Sequence, residues 1–270
     1  MKNIFEELKA LGFSNLDKVE VFTKPEQEEK KQSTKKVSSF TVEETLYDKS
    51  YVCPVCDHAF KSKTIRSGKN RLMSVDIDLR PVYDIVNPLY YEPIVCERCG
   101  YSALAKNFNT LTGAQARLIR EQICTQYKEH HFSSILTAGE AIHKYKLVLL
   151  NAVVKRAKDG EKAYICLKIA WVYRELEDTE NEMLFLQHAL TGFLNAYNKE
   201  RFPIFELGEL TVAYLIAELY RRFKEYDKAQ QWVSCVVLDR SVSLRLKTKA
   251  LHLKGLIREE KEKAKQEAGN

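Results

Sequence analysis

Two Cys-x-x-Cys pairs constrain this chain more than any other feature: Cys53-Pro54-Val55-Cys56, and, after a long insert, Cys96-Glu97-Arg98-Cys99-Gly100. Thiols three positions apart can both turn into one tight backbone knuckle, and two knuckles brought together supply four thiolates in a tetrahedron, the arrangement zinc prefers. Cys53, Cys56, Cys96 and Cys99 therefore read as the ligands of one Zn2+ ion. A closed four-thiolate shell leaves no position for a substrate, so the expected role is structural. A rubredoxin-like iron site also uses two such knuckles, and iron stays open beside zinc. His58 is near enough to Cys56 to substitute as a ligand, but four thiols suffice and it reads as a knuckle-surface residue. A thioredoxin-type redox role is disfavoured, since that motif sits at a helix start in a βαβ unit and needs one pair, not two.

Seven cysteines is an odd number, and the start Met1-Lys2-Asn3-Ile4-Phe5-Glu6-Glu7-Leu8 has acids where a signal peptide needs an apolar run. No later segment approaches the length of a membrane span. The expectation is a cytoplasmic chain with reduced thiols and no membrane partner. Cys124, Cys166 and Cys235 lie among apolar residues in a helical pattern and are expected in the core. The net charge is +6, from 43 basic and 37 acidic residues, and residues 201–270 hold 14 basic against 10 acidic ones. A balance this mild permits nucleic-acid contact without demanding it.

Along the chain, residues 4–16 have the pattern of a short amphipathic helix, and the charged run from Lys24 to Lys36 is too polar to order itself and reads as a linker. Leu46–Val52 is expected as a strand leading into the first knuckle. Residues 59–66 and 72–79 are expected to pair as a hairpin around Ser67-Gly68-Lys69-Asn70, with Asp76 and Asp78 together on a solvated strand face. From Thr110 the hydrophobic period changes from two to 3.6. Thr112 with Gln115, Thr137 with Glu140 and Thr179 with Glu182 have capping-box spacing. His130-His131 reads as a pair at the end of the first of these helices, favourable to its dipole. The second helix carries an apolar stripe from Ala138 to Val153 and is expected to break at Asp159-Gly160. Short turns between the later helices imply antiparallel neighbours, and Ala213 to Tyr220 with Tyr226, Ala229 and Trp232 has the small and aromatic spacing of a tetratricopeptide unit.

The fold class that follows is α+β, mostly α: a small antiparallel zinc-ribbon-like module followed by a tetratricopeptide-like helical array. The expected segments are 1–39 (short helix and charged linker), 40–109 (zinc-ribbon-like module with four cysteine ligands), 110–258 (helical domain) and 259–270 (charged tail). With these pieces in order, the chain resembles a bacterial family called domain of unknown function 2225. The resemblance is carried by Tyr51-Val52-Cys53-Pro54-Val55-Cys56, Asp76-Ile77-Asp78-Leu79-Arg80-Pro81-Val82-Tyr83, Asn87-Pro88-Leu89-Tyr90-Tyr91 and Val95-Cys96-Glu97-Arg98-Cys99-Gly100-Tyr101. It implies a bacterial cytosolic protein with a metal-binding cysteine module and tetratricopeptide-like helices, and no established activity.

No phosphate-cradling glycine loop, nucleophile elbow or HExxH motif is present. The reading is therefore a non-enzymatic interaction protein that binds a protein or peptide partner on its helical array, with Tyr173, Tyr214 and Tyr220 as candidate groove residues. The alternative is a nucleic-acid-associated regulator, with Lys61, Lys63, Arg66, Lys69 and Arg71 clustered at the hairpin as nucleic-acid or anion contacts. A redox or iron-binding protein is the third reading.

Overall fold

Antiparallel pairing in the first half is built around the two knuckles. A one-turn helix α1 (Val42–Thr45), closed by a reciprocal Thr41–Glu44 capping box, leads into β1 (Leu46–Val52). β2 (Ala59–Ile65) returns alongside β1, from Val52 opposite Ala59 to Leu46 opposite Ile65, so the first knuckle is the hairpin turn. β3 (Leu72–Val75) pairs with β4 (Pro81–Tyr83). After a 3-10 turn (Pro88–Tyr91), β5 (Pro93–Val95) pairs with β6 (Ser102–Leu104) around the second knuckle. The computed structural model describes residues 40–268, all within the compact unit Phe40–Asn270. The helix expected over 4–16 and the linker over 24–36 lie outside the described residues.

The helical half comprises α2 (Gly113–Ile119), which widens into a π turn (Arg120–Cys124), then α3 (Ala138–Val154), α4 (Asp159–Glu175), α5 (Thr179–Lys199), α6 (Glu209–Arg222), α7 (Tyr226–Leu238) and α8 (Leu244–Ala268). The molecule is mostly helical with small antiparallel sheets. Among the described residues no helix is long and apolar enough to cross a membrane. Residues 259–268 continue α8, where Glu260 meets Arg221 at 2.5 Å and Lys261 pairs with Asp227.

Several local expectations need correction. β2 takes β1 as its partner, not the strand after Leu72, which stops at Val75 because Asp76–Arg80 turns back on itself with Leu79 at φ +69°. The Thr112–Gln115 and Thr137–Glu140 capping boxes form, but α5 is capped by Asp178, whose carboxylate accepts from Asn181 N at 3.1 Å. Glu182 is unavailable for a capping box because it is drawn inward to Arg174 and Arg222. Asp159-Gly160 does not end α3 but opens α4, where Gly160 packs so tightly that a Cβ would lie 2.0 Å from Ile204 Cγ2. Val153, expected on the buried stripe of α3, is 56% exposed.

The Asp76–Arg80 turn is clasped by helices α4 and α6, which overturns the solvated-face reading. Asp78 is buried, accepting from Trp171 Nε1 at 2.8 Å and from Arg174 Nη2 at 2.5 Å. Asp76 accepts from Arg80 Nε at 2.8 Å and from Arg174 Nη1 at 3.3 Å. Tyr214 OH of α6 donates to Ile77 O at 2.7 Å. The Asp78 and Glu182 carboxylates raise the Arg174 pKa despite its burial, so the guanidinium stays charged in this setting.

Removing Asp78 leaves the Trp171 indole N–H and the Nη2 arm of Arg174 without their acceptor, although Asp76 and Glu182 still hold the rest of the guanidinium, a defect worth roughly 3 kcal/mol. Asp78→Ala is expected to lower the urea unfolding free energy by that amount, while Glu262→Ala, at an exposed pair with Arg258, changes it by less than about 0.5 kcal/mol. Equal, small effects at both positions would return Asp78 to the solvated surface.

Candidate metal centre

The two knuckles share one backbone design. In the first, Asp57 N donates to Cys53 O and Cys53 N to His58 O, both at 2.9 Å; in the second, Gly100 N donates to Cys96 O and Cys96 N to Tyr101 O, both at 2.8 Å. The residue after each pair adopts a left-handed conformation, Asp57 at φ +56° and Gly100 at +76°. Aspartate tolerates that region better than most residues because its short polar side chain can hydrogen-bond the nearby backbone. At the second knuckle only glycine fits, since a Cβ would stand 2.5 Å from the Tyr127 ring.

These turns bring the four thiols together. Cys53 Sγ lies 3.6 Å from Cys99 Sγ and Cys56 Sγ 3.7 Å from Cys96 Sγ, with all four sulfurs within 4.8 Å of one another. A tetrahedron with metal–sulfur bonds of about 2.3 Å has edges of about 3.8 Å, so the donor set fits one ion with little movement. Cys53, Cys96 and Cys99 are buried and Cys56 half-buried. Thiols this close cannot ionise independently. Hydrogen bonding from Cys53 pulls Cys96 down, while Cys53 is pushed up by its bond to Cys96 and by burial, and Cys99 is raised by its bond to Cys53. A dication at the centre is the charge that would let all four serve as thiolates.

The cluster is embedded, and the helices help hold it. Tyr51, Val55, Ile94, Tyr101, Phe108 and Ile119 form its apolar surround, and Tyr101 OH donates to Phe108 O at 2.7 Å. Arg120 Nε of the π turn donates to Val55 O of the first knuckle at 2.9 Å. Asn151 Nδ2 of α3 donates to Gly100 O of the second at 3.0 Å and to Ser102 Oγ at 2.8 Å. Lys168 Nζ of α4 meets Glu92 Oε2, beside β5, at 2.7 Å. The sequence reading did not single out Arg120, Asn151 or Lys168. The signal was present for Asn151, which flanks the apolar face of α3 three residues after Val148.

The remaining thiols divide. Cys166 is buried and its pKa pushed up to about 12 by desolvation. Cys124 is half-buried against the cysteine cluster and raised by burial, whereas Cys235 is exposed, contrary to the core reading. His58 stacks at 6.3 Å on Phe60 and stands outside the four-sulfur group. His131, read as part of a helix-end pair, lies beyond the π turn and places Nδ1 2.6 Å from Glu97 Oε2 of the second knuckle.

The five basic residues singled out in sequence do not form one hairpin tip. Lys63 pairs across the strands with Asp48 at 3.0 Å, Arg66 Nε donates to Leu46 O at 3.2 Å, Lys69 lies 4.7 Å over the Phe40 ring, and Arg71 meets Asp84 at 3.6 Å. Lys61 is exposed. The three groove tyrosines are in the core: Tyr173 is 7%, Tyr214 1% and Tyr220 8% exposed. Their rings fill space between helices instead of presenting a face to a partner.

A sequence-family model described as "Uncharacterized protein conserved in bacteria (DUF2225)" matches residues 46–264. An uncharacterized protein from Borreliella burgdorferi is 26% identical over 170 residues, covering 54% of this chain. The match spans 57% of that relative's length. No solved structure matches.

Gly100→Ala adds left-handed strain and a clash with Tyr127, together about 2–4 kcal/mol. Gly68, at φ +82°, has nothing within 4 Å of its would-be Cβ, so Gly68→Ala carries the backbone strain alone, about 1–2 kcal/mol. Thermal unfolding of the two variants should rank them in that order, and the reverse order would contradict the knuckle packing.

Proposed function

We propose that this chain, which belongs to the DUF2225 family of uncharacterized bacterial proteins, is a non-enzymatic zinc-binding interaction protein whose tetratricopeptide-like helices receive a protein or peptide partner. Zinc is preferred because a compact set of four cysteine sulfurs matches its tetrahedral, thiolate-rich chemistry and closes its shell. Small residues at helix crossings support the repeat-like reading: Ala163 of α4 backs onto Gly192 of α5, where a Cβ would come within 2.8 Å, and Ala217 and Ala229 are fully buried in α6 and α7. All seven cysteines are free thiols, which agrees with a reducing cytoplasm.

The observation that carries the partner reading is an open groove of about 380 Å³ along α3, α4 and α5, lined by Leu149, Val153, Ala163, Phe185, His188 and Gly192. Val153 on its wall is 56% exposed, and Leu149, Ala163 and Phe185 line it as well. Apolar side chains gathered beside one groove are the kind of surface that an amphipathic segment covers. The basic residues of β2 and the following turn support a nucleic-acid reading less well, since Lys63, Arg66 and Arg71 are already engaged by Asp48, Leu46 and Asp84.

The test is affinity purification of the full chain at native level from its own lysate, with and without nuclease, beside Val153→Glu. The expected result is a defined protein that co-elutes in both conditions with the wild type and is depleted at least tenfold with the variant. Retention by Val153→Glu, or loss of all bound material with nuclease, would contradict the groove reading.

A further inference from the structure

Lys144 is a buried cation that makes no direct ion pair among the described residues. It lies on the inner face of α3, is 5% exposed, and among the described residues no carboxylate oxygen stands within 4.0 Å of its ammonium. The acids around it are committed elsewhere. Glu97 accepts from His131 Nδ1 at 2.6 Å and Phe132 N at 3.2 Å. Glu140 accepts from Ser133 N at 2.9 Å and Thr137 N at 3.0 Å. Asp48 is paired with Lys63 at 3.0 Å. The ammonium rests over the Phe132 ring, 5.6 Å from its centroid. Burial lowers its pKa to about 8 even against the opposing pull of Glu97 and Glu140.

An unpaired buried ammonium is costly, and a structure that retains one gains from any anion able to reach it. The route is present. Lys144 lines a cleft of about 120 Å³ together with Lys61, Lys63, Tyr91, Ser133 and Ser134, with Asp48 and Glu97 also on its wall. Tyr91 OH accepts from Leu136 N at 3.1 Å, which leaves its own proton to donate. Serine hydroxyls can turn to donate as well.

We propose that this cleft binds a small phosphate dianion, with Lys144 Nζ at its floor, Lys61 at its rim, and the Tyr91, Ser133 and Ser134 hydroxyls as neutral donors, while Lys63 neutralises Asp48 on the wall. Lysine ammoniums act as point charges toward phosphate, and donors approaching from β2, the 3-10 turn, the loop before α3 and α3 itself suit a tetrahedral oxyanion better than a planar carboxylate. A cleft of about 120 Å³ has room for one phosphoryl group at its floor, and its open side leaves space for whatever that group is attached to. The anion is either inorganic phosphate or the phosphoryl head of a small monoester whose remainder stays outside. This site is separate from the α3–α5 groove and does not depend on it.

The experiment is calorimetric titration of the full chain with inorganic phosphate and, separately, with glycerol 3-phosphate, for the wild type, Lys144→Met, Lys61→Ala and a Lys254→Ala control. The expected result is saturable binding at one site per chain, weakened at least tenfold by Lys144→Met, several-fold by Lys61→Ala, and unchanged in the control. Tighter binding of glycerol 3-phosphate than of inorganic phosphate assigns a monoester, and binding of inorganic phosphate alone assigns the free anion. Lys144→Met replaces an unpaired buried charge with an apolar chain, so it should melt no lower than the wild type without phosphate and lose the phosphate-induced rise in melting temperature. No saturable binding, or equal binding by the wild type and both cleft variants, would overturn the proposal. Exposed Lys61 keeps the test decisive if Lys144→Met does not fold.

Discussion

Four sulfurs within 4.8 Å of one another are the condition on which the first half of the structure depends. β1–β2 and β5–β6 are short hairpins, and two-stranded hairpins of this size are marginal in water by themselves. Each uses a knuckle as its turn, so gathering the thiols also sets where the hairpin ends meet. A metal bound there supplies folding free energy on the order of 10 kcal/mol, more than either hairpin can provide from its own pairing.

The helices then read that arrangement through polar contacts. Arg120 bonds a carbonyl of the first knuckle and Asn151 a carbonyl of the second, while Lys168 meets Glu92 just ahead of β5. At the other end of the insert, the Asp76–Arg80 turn sits among Trp171, Arg174 and Tyr214. Buried polar groups of this kind add little net stability when satisfied and cost several kcal/mol when one partner is lost. They therefore specify one placement of the strands on the helices. The main apolar core runs from Leu89 and Leu104 through α3 to α8, which ties the strand segments and helices into one packing problem.

The sequence made the four thiols, the helical second half and two of three capping boxes legible because each rests on local spacing. Strand pairing was less legible: β2 has similar material on both sides, and the choice of β1 follows from the first knuckle acting as a turn, which spacing alone does not state. Asp76 and Asp78 misled for a similar reason. Alternation with aliphatics looks like a solvated strand face, and the arginine and tryptophan that bury Asp78 come from a helix more than ninety residues away. The tyrosines at repeat spacing were legible as helix packing residues, yet being core is what removes Tyr173, Tyr214 and Tyr220 from a binding face. Lys144 and Asn151 flank the apolar stripe of α3 and are buried because the packed face of that helix extends past the apolar residues on their side.

Cys53, Cys56, Cys96 and Cys99 are expected to form one closed metal shell around which the strand module is assembled. X-ray absorption at the metal edge of the natively purified full chain tests it most directly. The predicted result is a zinc edge with a single shell of four sulfur scatterers at about 2.3 Å. A shell containing nitrogen or oxygen, fewer than four sulfurs, or no bound metal in a folded protein would contradict it.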